Sequence, residues 1–582
     1  MTAGNLLDIF HALVLSLVTG VPLLGALGCC LSSARRARWS LLPWTTVPAL
    51  LVSLTIPGDL VVQVPWFFMG GCMGLDQTGR IFLCLSAVIW MLTSFTVAEK
   101  FQNRKGELRF SGYFLVAMAG NFGLILAKDM FSFYLFFALM SFASYGLIVH
   151  ERTSEARRAG NIYLILVMVS EVAMFIALVL IFFKTQSSSL ADINENSISM
   201  SILIFLFMAF GVKVGALPFQ AWMAPAYQQS PIPGATALAG AMVNAGLLGW
   251  LRFIPLGVIT SDPGAFLFIT AGALAALYGV VCGLGQRKPG AVLAFSSMSQ
   301  MGLMTIIIGL GLYSVKAGEY AVYLLPLYAV HHSLAKGSLF LVYDVVNKGG
   351  RLASPLLLIA LLLPSLSLAG LPFTGGAIVK TGFKELALVS GTQWYGVSKI
   401  FLPVSSIGTT ILMLYCSRLL WHKRANKDNS QRVLLWPCFT ALAGAAFWLW
   451  LWPAAHGLSS HSLDASLLFH SFWPVAVGSG LFLIWLIMAE RLKGEKGYLF
   501  PETDFGNKAE IAWSALAKKC RTGAEKLYPV PGTSWARKWL SLSATSPLGK
   551  KLRKPEKIMG RWSMVGFFYL AVCIILVFCL GS

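Results

Sequence analysis

Residues 201–222 read SILIFLFMAFGVKVGALPFQAW, and the order of residue types in this stretch decides the class of fold. Residues 201–212 carry no charge, and apolar side chains would lie on every side of a helix formed from them. A helix that is apolar all round belongs in a core or in a bilayer. Lys213 follows, flanked by apolar sequence for more than a turn on each side, and then comes Gly215-Ala216-Leu217-Pro218. Proline removes a backbone donor and the neighbouring glycine permits unwinding, so the span is expected to break around Pro218. The stretch LAGLPFTGGAIVK, residues 368–380, repeats the arrangement with a break around Pro372 and a lysine, Lys380, at its end.

Composition extends this reading to the whole chain. Of 582 residues, 57% are hydrophobic and 12% charged, and the mean hydropathy is +0.72. A soluble chain of this length covers itself with roughly 25% charged residues. Apolar runs fall near 9–31, 41–57, 80–98, 110–127, 130–149, 160–183, 199–224, 234–257, 264–285, 290–312, 320–345, 354–389, 397–420, 433–454, 470–489 and 562–580. Most have the length of about 20 residues needed to cross a hydrocarbon layer about 30 Å thick. The expected fold is therefore an all-α polytopic membrane protein with about 14–16 transmembrane helices. The first run has no basic residue before it and exceeds a signal-peptide core, so it is expected to be retained.

The net charge of +21 is distributed as topology-setting charge rather than as a nucleic-acid footprint. Numbering the loops in order, basic residues gather in the odd ones. These hold Arg35, Arg36 and Arg38; Lys100, Arg104, Lys105 and Arg109; Arg152, Arg157 and Arg158; Arg287 and Lys288; Lys348 and Arg351; and Lys423, Arg424, Lys427 and Arg432. The even loops hold Asp59, Asp76, Asp192, Glu195, Asp262 and Asp464. The positive-inside rule then makes the odd loops cytoplasmic, with the N-terminus outside a bacterial inner membrane. Residues 491–561 contain sixteen Lys/Arg against six Asp/Glu and are interrupted by Pro529, Pro531 and Pro547. They read as a cytoplasmic tether, with an amphipathic stretch at 507–527, before a terminal span at 562–580. The ten cysteines are scattered, without CxxC or Cys/His spacing, so no metal or disulfide framework is expected.

Ionisable residues inside spans are costly and usually line an ion path or pair with one another. Four places qualify: Lys213, the group His331, His332 and Lys336, then Lys380, and finally Glu171 within ILVMVSEVAMFIAL, residues 165–178. His332 and Lys336 are four residues apart and share one helix face. Imidazole titrates near neutral pH and lysine is the cation that can give up its proton, so the pair suits a proton relay. His331 points about 100° away and reads as structural, or at most accessory. Lys380 could snorkel to an interface, since its span ends soon after, and Glu171 could merely bond a neighbouring hydroxyl. Two interrupted spans, each with a lysine within about two turns, point to a transporter built from repeats, with ions passing near the breaks.

The same residues carry a family likeness. Lys213-Val-Gly-Ala-Leu-Pro-Phe-Gln-Ala-Trp-Met-Ala-Pro-Ala-Tyr227, followed by Ser-Pro-Ile-Pro-Gly-Ala, resembles the signature of antiporter-like subunits of respiratory complex I, Mrp-type sodium/proton antiporters and membrane-bound hydrogenases. So do residues 293–302 (LAFSSMSQMG), His332-Ser-Leu-Ala-Lys336-Gly-Ser-Leu-Phe340, and Gly370-Leu371-Pro372 with Gly376 and Lys380, over roughly residues 70–420. The resemblance implies two inverted five-helix repeats, each with a broken helix, at 110–257 and 258–420. These lie between N-terminal helices at 1–109 and C-terminal helices at 421–489, followed by the basic segment 490–561 and the terminal helix 562–582. It also implies a proton path in which Lys336, assisted by His332, passes a proton to Lys380, and in which Lys213 faces a glutamate on an earlier helix.

That glutamate is expected within Phe136–Ser141, where Ala138 stands instead, and Lys288-Pro289-Gly290-Ala291 replaces the charged residues usual before Leu293. Glu171 is the expected substitute. The first functional reading is a proton- or sodium/proton-translocating subunit of a larger complex, with other membrane subunits and redox or hydrogenase subunits as partners and lipid around it. No fingerprint for nicotinamide, flavin, quinone or metal occurs, so no cofactor is expected and any redox step belongs to other subunits. Two alternatives stand beside it: a proton-conducting subunit of an inorganic-carbon uptake complex, and a scaffold subunit that has lost pumping.

Overall fold

The computed structural model describes residues 3–29, 41–56, 59–64, 71–101, 107–348, 354–425 and 465–491. The expected spans 433–454 and 562–580, and the basic segment past Arg491, lie outside the described residues. So do Arg35, Arg36, Arg38, Arg104, Lys105, Arg351, Lys427, Arg432 and Asp464.

Every other expected span is helical. The chain opens with α1 (Ala3–Gly28). A short 3-10 turn (Leu42–Thr46) then leads into α2 (Val47–Thr55). There follow α3 (Gln77–Phe101), α4 (Glu107–Leu126), α5 (Met130–Ile148) and α6 (Ser154–Thr185). The span around Pro218 is split into α7 (Met200–Val214) and α8 (Met223–Gln229). The next span runs from α9 (Ile232–Ala237) through a π-helical stretch, Leu238–Met242, into α10 (Asn244–Phe253). Then come α11 (Asp262–Leu284), α12 (Pro289–Gly311) and α13 (Val315–Lys348). The span around Pro372 is split into α14 (Ser354–Ala369) and α15 (Gly375–Ser390), and α16 (Thr392–Ala425) and α17 (Ala465–Arg491) complete the described chain.

Among the described residues, ten helices are long and apolar enough to cross a membrane, and Leu42–Thr55, Met200–Val214 and Pro355–Ala369 are shorter apolar helices. The protein is a helical, multi-pass membrane protein. One element breaks the all-α expectation: an antiparallel hairpin of β1 (Leu60–Gln63) and β2 (Cys72–Leu75), with Leu60 opposite Leu75. Four-residue strands are too short to stand out from the apolar runs beside them. The hairpin is tied to the α4–α5 loop, because Asp129 accepts from the Cys72 amide at 2.8 Å and the Lys128 amide donates to the Cys72 carbonyl at 2.9 Å.

Burial orders the helices. The Ile232–Phe253 span and α12 are buried throughout their apolar windows, whereas the corresponding figures are 28% for α1 and 22% for α17. In lipid there is little hydrophobic force between helices, so close backbone packing through small residues must supply the contact. The α11–α12 pair shows how. A Cβ on Gly272 would stand 2.5 Å from the Gly302 carbonyl, and one on Gly302 would stand 2.5 Å from the Gly272 carbonyl. Any larger side chain at either position would force these two backbones apart. This contact places α12 in the middle of the second half, against α13 and α16.

Candidate functional site

The first break begins where α7 runs out of helix-compatible backbone. Gly215 adopts a left-handed conformation, φ +71°, and the Ala216 amide bonds back to the Gly211 carbonyl at 2.8 Å. This six-to-one bond with a left-handed glycine is a Schellman cap. Trp222, beyond the break, donates its indole N–H to the Val212 carbonyl at 2.6 Å, satisfying another acceptor of the helix end. Lys213 thus lies in the last turn of α7, where the carbonyl ends of the helix favour a cation.

The Lys213 side chain is buried, 3% exposed, and its Nζ donates to the Tyr163 hydroxyl at 3.0 Å. Tyr163, on α6, donates in turn to the Ser141 carbonyl at 3.1 Å. The ammonium also stands 5.3 Å from the centre of the Phe137 ring and 5.4 Å from that of Tyr163, an aromatic cradle that favours a cation. Gly246 on α10 permits the close approach from the far side, since a Cβ there would stand 3.0 Å from Lys213 Cβ. Glu171 lies two turns along α6 from Tyr163, is 5% exposed, and is near enough for the Lys213 charge and the Ser141 hydroxyl to act on it. Neither of its carboxyl oxygens has a partner at full hydrogen-bonding geometry among the described residues. On α5 it is Phe137, not Ala138, that covers the ammonium, and Ala138 is only half-buried.

The central group sits on α13. His332 and Lys336 are fully buried, and Lys336 Nζ donates to the Leu293 carbonyl on α12 at 3.0 Å. Both ring nitrogens of His332 are buried without a hydrogen-bond partner among the described residues. Buried polar atoms are normally satisfied by protein or by ordered water. One turn before His332, the Tyr328 hydroxyl donates to Gln300 Oε1 at 3.0 Å, and Gln300 Nε2 donates to the Thr409 hydroxyl at 3.3 Å. This buried bridge joins α13, α12 and α16.

The second break repeats the first. Gly370 is left-handed, φ +95°, and the Leu371 amide bonds to the Leu366 carbonyl at 3.0 Å, again a six-to-one cap. Lys380 follows the break rather than preceding it, on α15, but its Nζ reaches back to the Ala369 carbonyl at 2.5 Å, the last residue of α14. It also donates to Ser406 Oγ at 2.7 Å. At 7% exposure, Lys380 points inward rather than to an interface. Two lysines from non-equivalent chain positions therefore serve the two breaks, Lys213 from the last turn of the half-helix before one and Lys380 by reaching back to the carbonyl end of the other.

The structure brings Lys213 together with Tyr163 and Phe137, His332 with Lys336, and Lys380 with Ser406. His331 turns towards the second break and packs against Gly376. Tyr163, Gln300 and Ser406 were not singled out from the sequence. Their signal was a polar residue inside an apolar run, which many structural residues share. Among the described residues, no group of three His, Cys, Asp or Glu is placed to hold a metal ion.

Residues 127–410, which contain both breaks and every lysine above, match the family model described as NADH:quinone oxidoreductase/Mrp antiporter, TM. Over these residues, just under half of its length, the chain is similar to this family of antiporter-like membrane subunits. It is 25% identical over 372 residues to the Na(+)/H(+) antiporter D subunit of Alkalihalophilus pseudofirmus, covering 61% of this chain and 74% of that one. It is 26% identical over 250 residues to the NADH-quinone oxidoreductase N subunit of Desulfitobacterium hafniense, covering 40% of this chain and 49% of that one. A chain in the structure of the Mrp complex from Dietzia sp. DQ12-45-1b has the same fold, with a TM-score of 0.69 at 22% identity, covering 93% of this chain and 63% of that one. The present chain thus spans about half of the Desulfitobacterium protein and less than two thirds of the Dietzia one.

Proposed function

We propose that the chain is the proton-translocating membrane subunit of a multisubunit complex of the Mrp, complex I-like or hydrogenase type, working beside other membrane subunits. The observation that carries this reading is the pair of alike breaks. Each holds a buried lysine, Lys213 in the last turn of its half-helix with its ammonium on the Tyr163 hydroxyl and Lys380 with its ammonium on the last carbonyl of the other, and no carboxylate is bonded to either among the described residues. An ammonium fixed by carbonyl, hydroxyl and aromatic groups can lose its proton without stranding an opposite charge. Discontinuous helices of this kind are where transporters place coupling ions. The path runs from Lys213, modulated by Glu171, through His332 and Lys336 to Lys380. The two breaks, around Pro218 and Pro372, belong to repeats at 110–257 and 258–420, and the matching caps support that division. The membrane is the bacterial inner membrane with the N-terminus outside, on the strength of the basic loops.

The test is an acid jump on native membrane vesicles carrying the full chain with its partner subunits, followed with an internal pH dye. Lys213→Ala and Lys380→Ala should each abolish the chain's contribution to proton flux while the complex still assembles. Unchanged flux in both would overturn the proposal. It would leave the scaffold reading, which the aromatic residue over Lys213 in place of an acid already favours. Mass spectrometry of what stays bound after gentle-detergent purification identifies the complex.

A further inference from the structure

We propose that His331, rather than its neighbour His332, is the imidazole that exchanges protons with Lys380. This rests on the translocation reading above and assigns the step between the central helix and the second break. The sequence places His332 and Lys336 on one face of α13, and His331 about 100° round from it. Lys336 is committed to that first face, since its ammonium bonds the Leu293 carbonyl on α12. Lys380 lies on the other side, on α15, which also packs against α13.

Three observations put His331 at that contact. A Cβ on Gly376 would stand 3.1 Å from His331 Nε2, so the imidazole edge lies against the first turn of α15, and only a glycine leaves it room. Lys380 is four residues, just over one helical turn, further along the same face, about 6 Å along the axis. The same Cβ would run into the Ser367 carbonyl, so the end of α14 borders the same spot on α15. Lys380 bonds the carbonyl of Ala369, two residues on from Ser367. Finally, Ser367 Oγ is fully buried and has no hydrogen-bond partner among the described residues. In this proposal the hydroxyl holds a water that bridges His331 and Lys380 with two hydrogen bonds of about 2.8 Å each.

The step is a simple exchange. Protonated His331 gives the proton on Nε2 to the bridging water, and that water releases one of its own to the neutral amine of Lys380. His331 is left neutral and Lys380 becomes an ammonium, held by the Ala369 carbonyl and Ser406. The reverse order returns the proton. Ser367 positions the water and carries no charge.

The experiment uses the same acid-jump assay on native vesicles with the full chain and its partners. His331→Gln keeps a polar side chain of similar size but cannot carry a proton, and should lower the flux about a hundredfold, the low end of the range for a lost acid–base group. Ser367→Ala should lower it less, about threefold, with the complex equally stable to heat. His332→Gln should cost less than His331→Gln. A larger loss from His332→Gln, or flux within twofold of wild type for His331→Gln, would overturn the assignment. Lys380→Ala, run in parallel, separates this from the broader reading: if it leaves flux unchanged, the translocation path itself fails, whereas if it abolishes flux and His331→Gln does not, only the His331 step fails.

Discussion

Tyr163→Phe isolates the one hydrogen bond that Lys213 makes among the described residues. The substitution removes the hydroxyl that accepts from Lys213 Nζ at 3.0 Å and donates to the Ser141 carbonyl at 3.1 Å. It leaves the ring, and with it the cation–π contact at 5.4 Å and the edge contact to Trp222 at 5.2 Å. A hydrogen bond to a charged group is worth about 1.5–3 kcal/mol. At 1.36 kcal/mol per tenfold, this is about 13- to 160-fold in how well the protonated lysine is held at the break. Ser141 loses little, because its carbonyl remains available to the α5 backbone ladder. Proton flux in native vesicles should fall by about ten- to a hundredfold, while the amount of assembled complex and its thermal midpoint stay near wild type. Tyr163→Leu, which also removes the ring, should fall further and destabilise the Trp222 contact. Wild-type flux in Tyr163→Phe would refute the view that Lys213 is set by this hydroxyl. A lowered thermal midpoint with unchanged flux would show the hydroxyl to be a packing device between α5 and α6.

Two further predictions concern carboxylates. Glu171→Gln keeps the shape of the buried side chain but removes the charge that faces Lys213, and should change flux several-fold; if transport is untouched while Lys213→Ala abolishes it, Glu171 does not stand in for the absent acid. Asp76, just before α3, receives a two-pronged contact from Arg252 and an ion pair from Lys128 at 3.1 Å. Burial alone would raise its affinity for a proton, but the Arg252 hydrogen bond and charge, the Lys128 charge and the Gly79 amide together hold the carboxyl well below the usual range. A lowered carboxyl contributes stability that is complete above the unfolded value of about 4 and is lost as the pH falls below it. Asp76→Asn should therefore cost about 2–3 kcal/mol at neutral pH, read as a lower thermal midpoint of the purified complex. The gap to wild type should be constant from about pH 7 down to 5 and narrow only below about 4. A gap that closes already between pH 7 and 5 would contradict the pairing.

The spans were legible because the bilayer demands the same thing of each of them, a run of about 20 apolar residues with its backbone bonded internally. The two breaks were legible for a related reason: Gly-x-x-Pro and Gly-x-Pro inside such a run cannot continue the helix without strain. Gly215 and Gly370 are the left-handed caps that end α7 and α14. The β-hairpin was not legible, because LVVQ and CMGL are too short for a strand period to separate from apolar background. Partners of the lysines were not legible either. Tyr163 lies fifty residues before Lys213, and Ser406 lies twenty-six after Lys380. No local spacing connects them, and the packing of α6 on α7 and α15 on α16 creates the contacts.

His331 shows the limit most clearly, and also where the physics was available. Helical geometry separates it from His332 by about 100°, and with only its own helix in view a structural role is the simpler one. The neighbour on the second face of α13 changes that. Gly376 sits in a Gly-Gly pair just after the break, and a glycine there is needed for close approach rather than for turning, since α15 has already begun at Gly375. A glycine inside a helix costs about 1 kcal/mol relative to alanine, so one held there marks something pressed against it. Here the groups pressed against it are the Ser367 carbonyl and the His331 imidazole. The two faces of α13 thereby acquire different tasks: one carries His332 and Lys336 towards α12, and the other carries His331 to the break that holds Lys380. In the proposed exchange, a helix that addresses both sides uses two adjacent titratable residues, and His331-His332 is that pair.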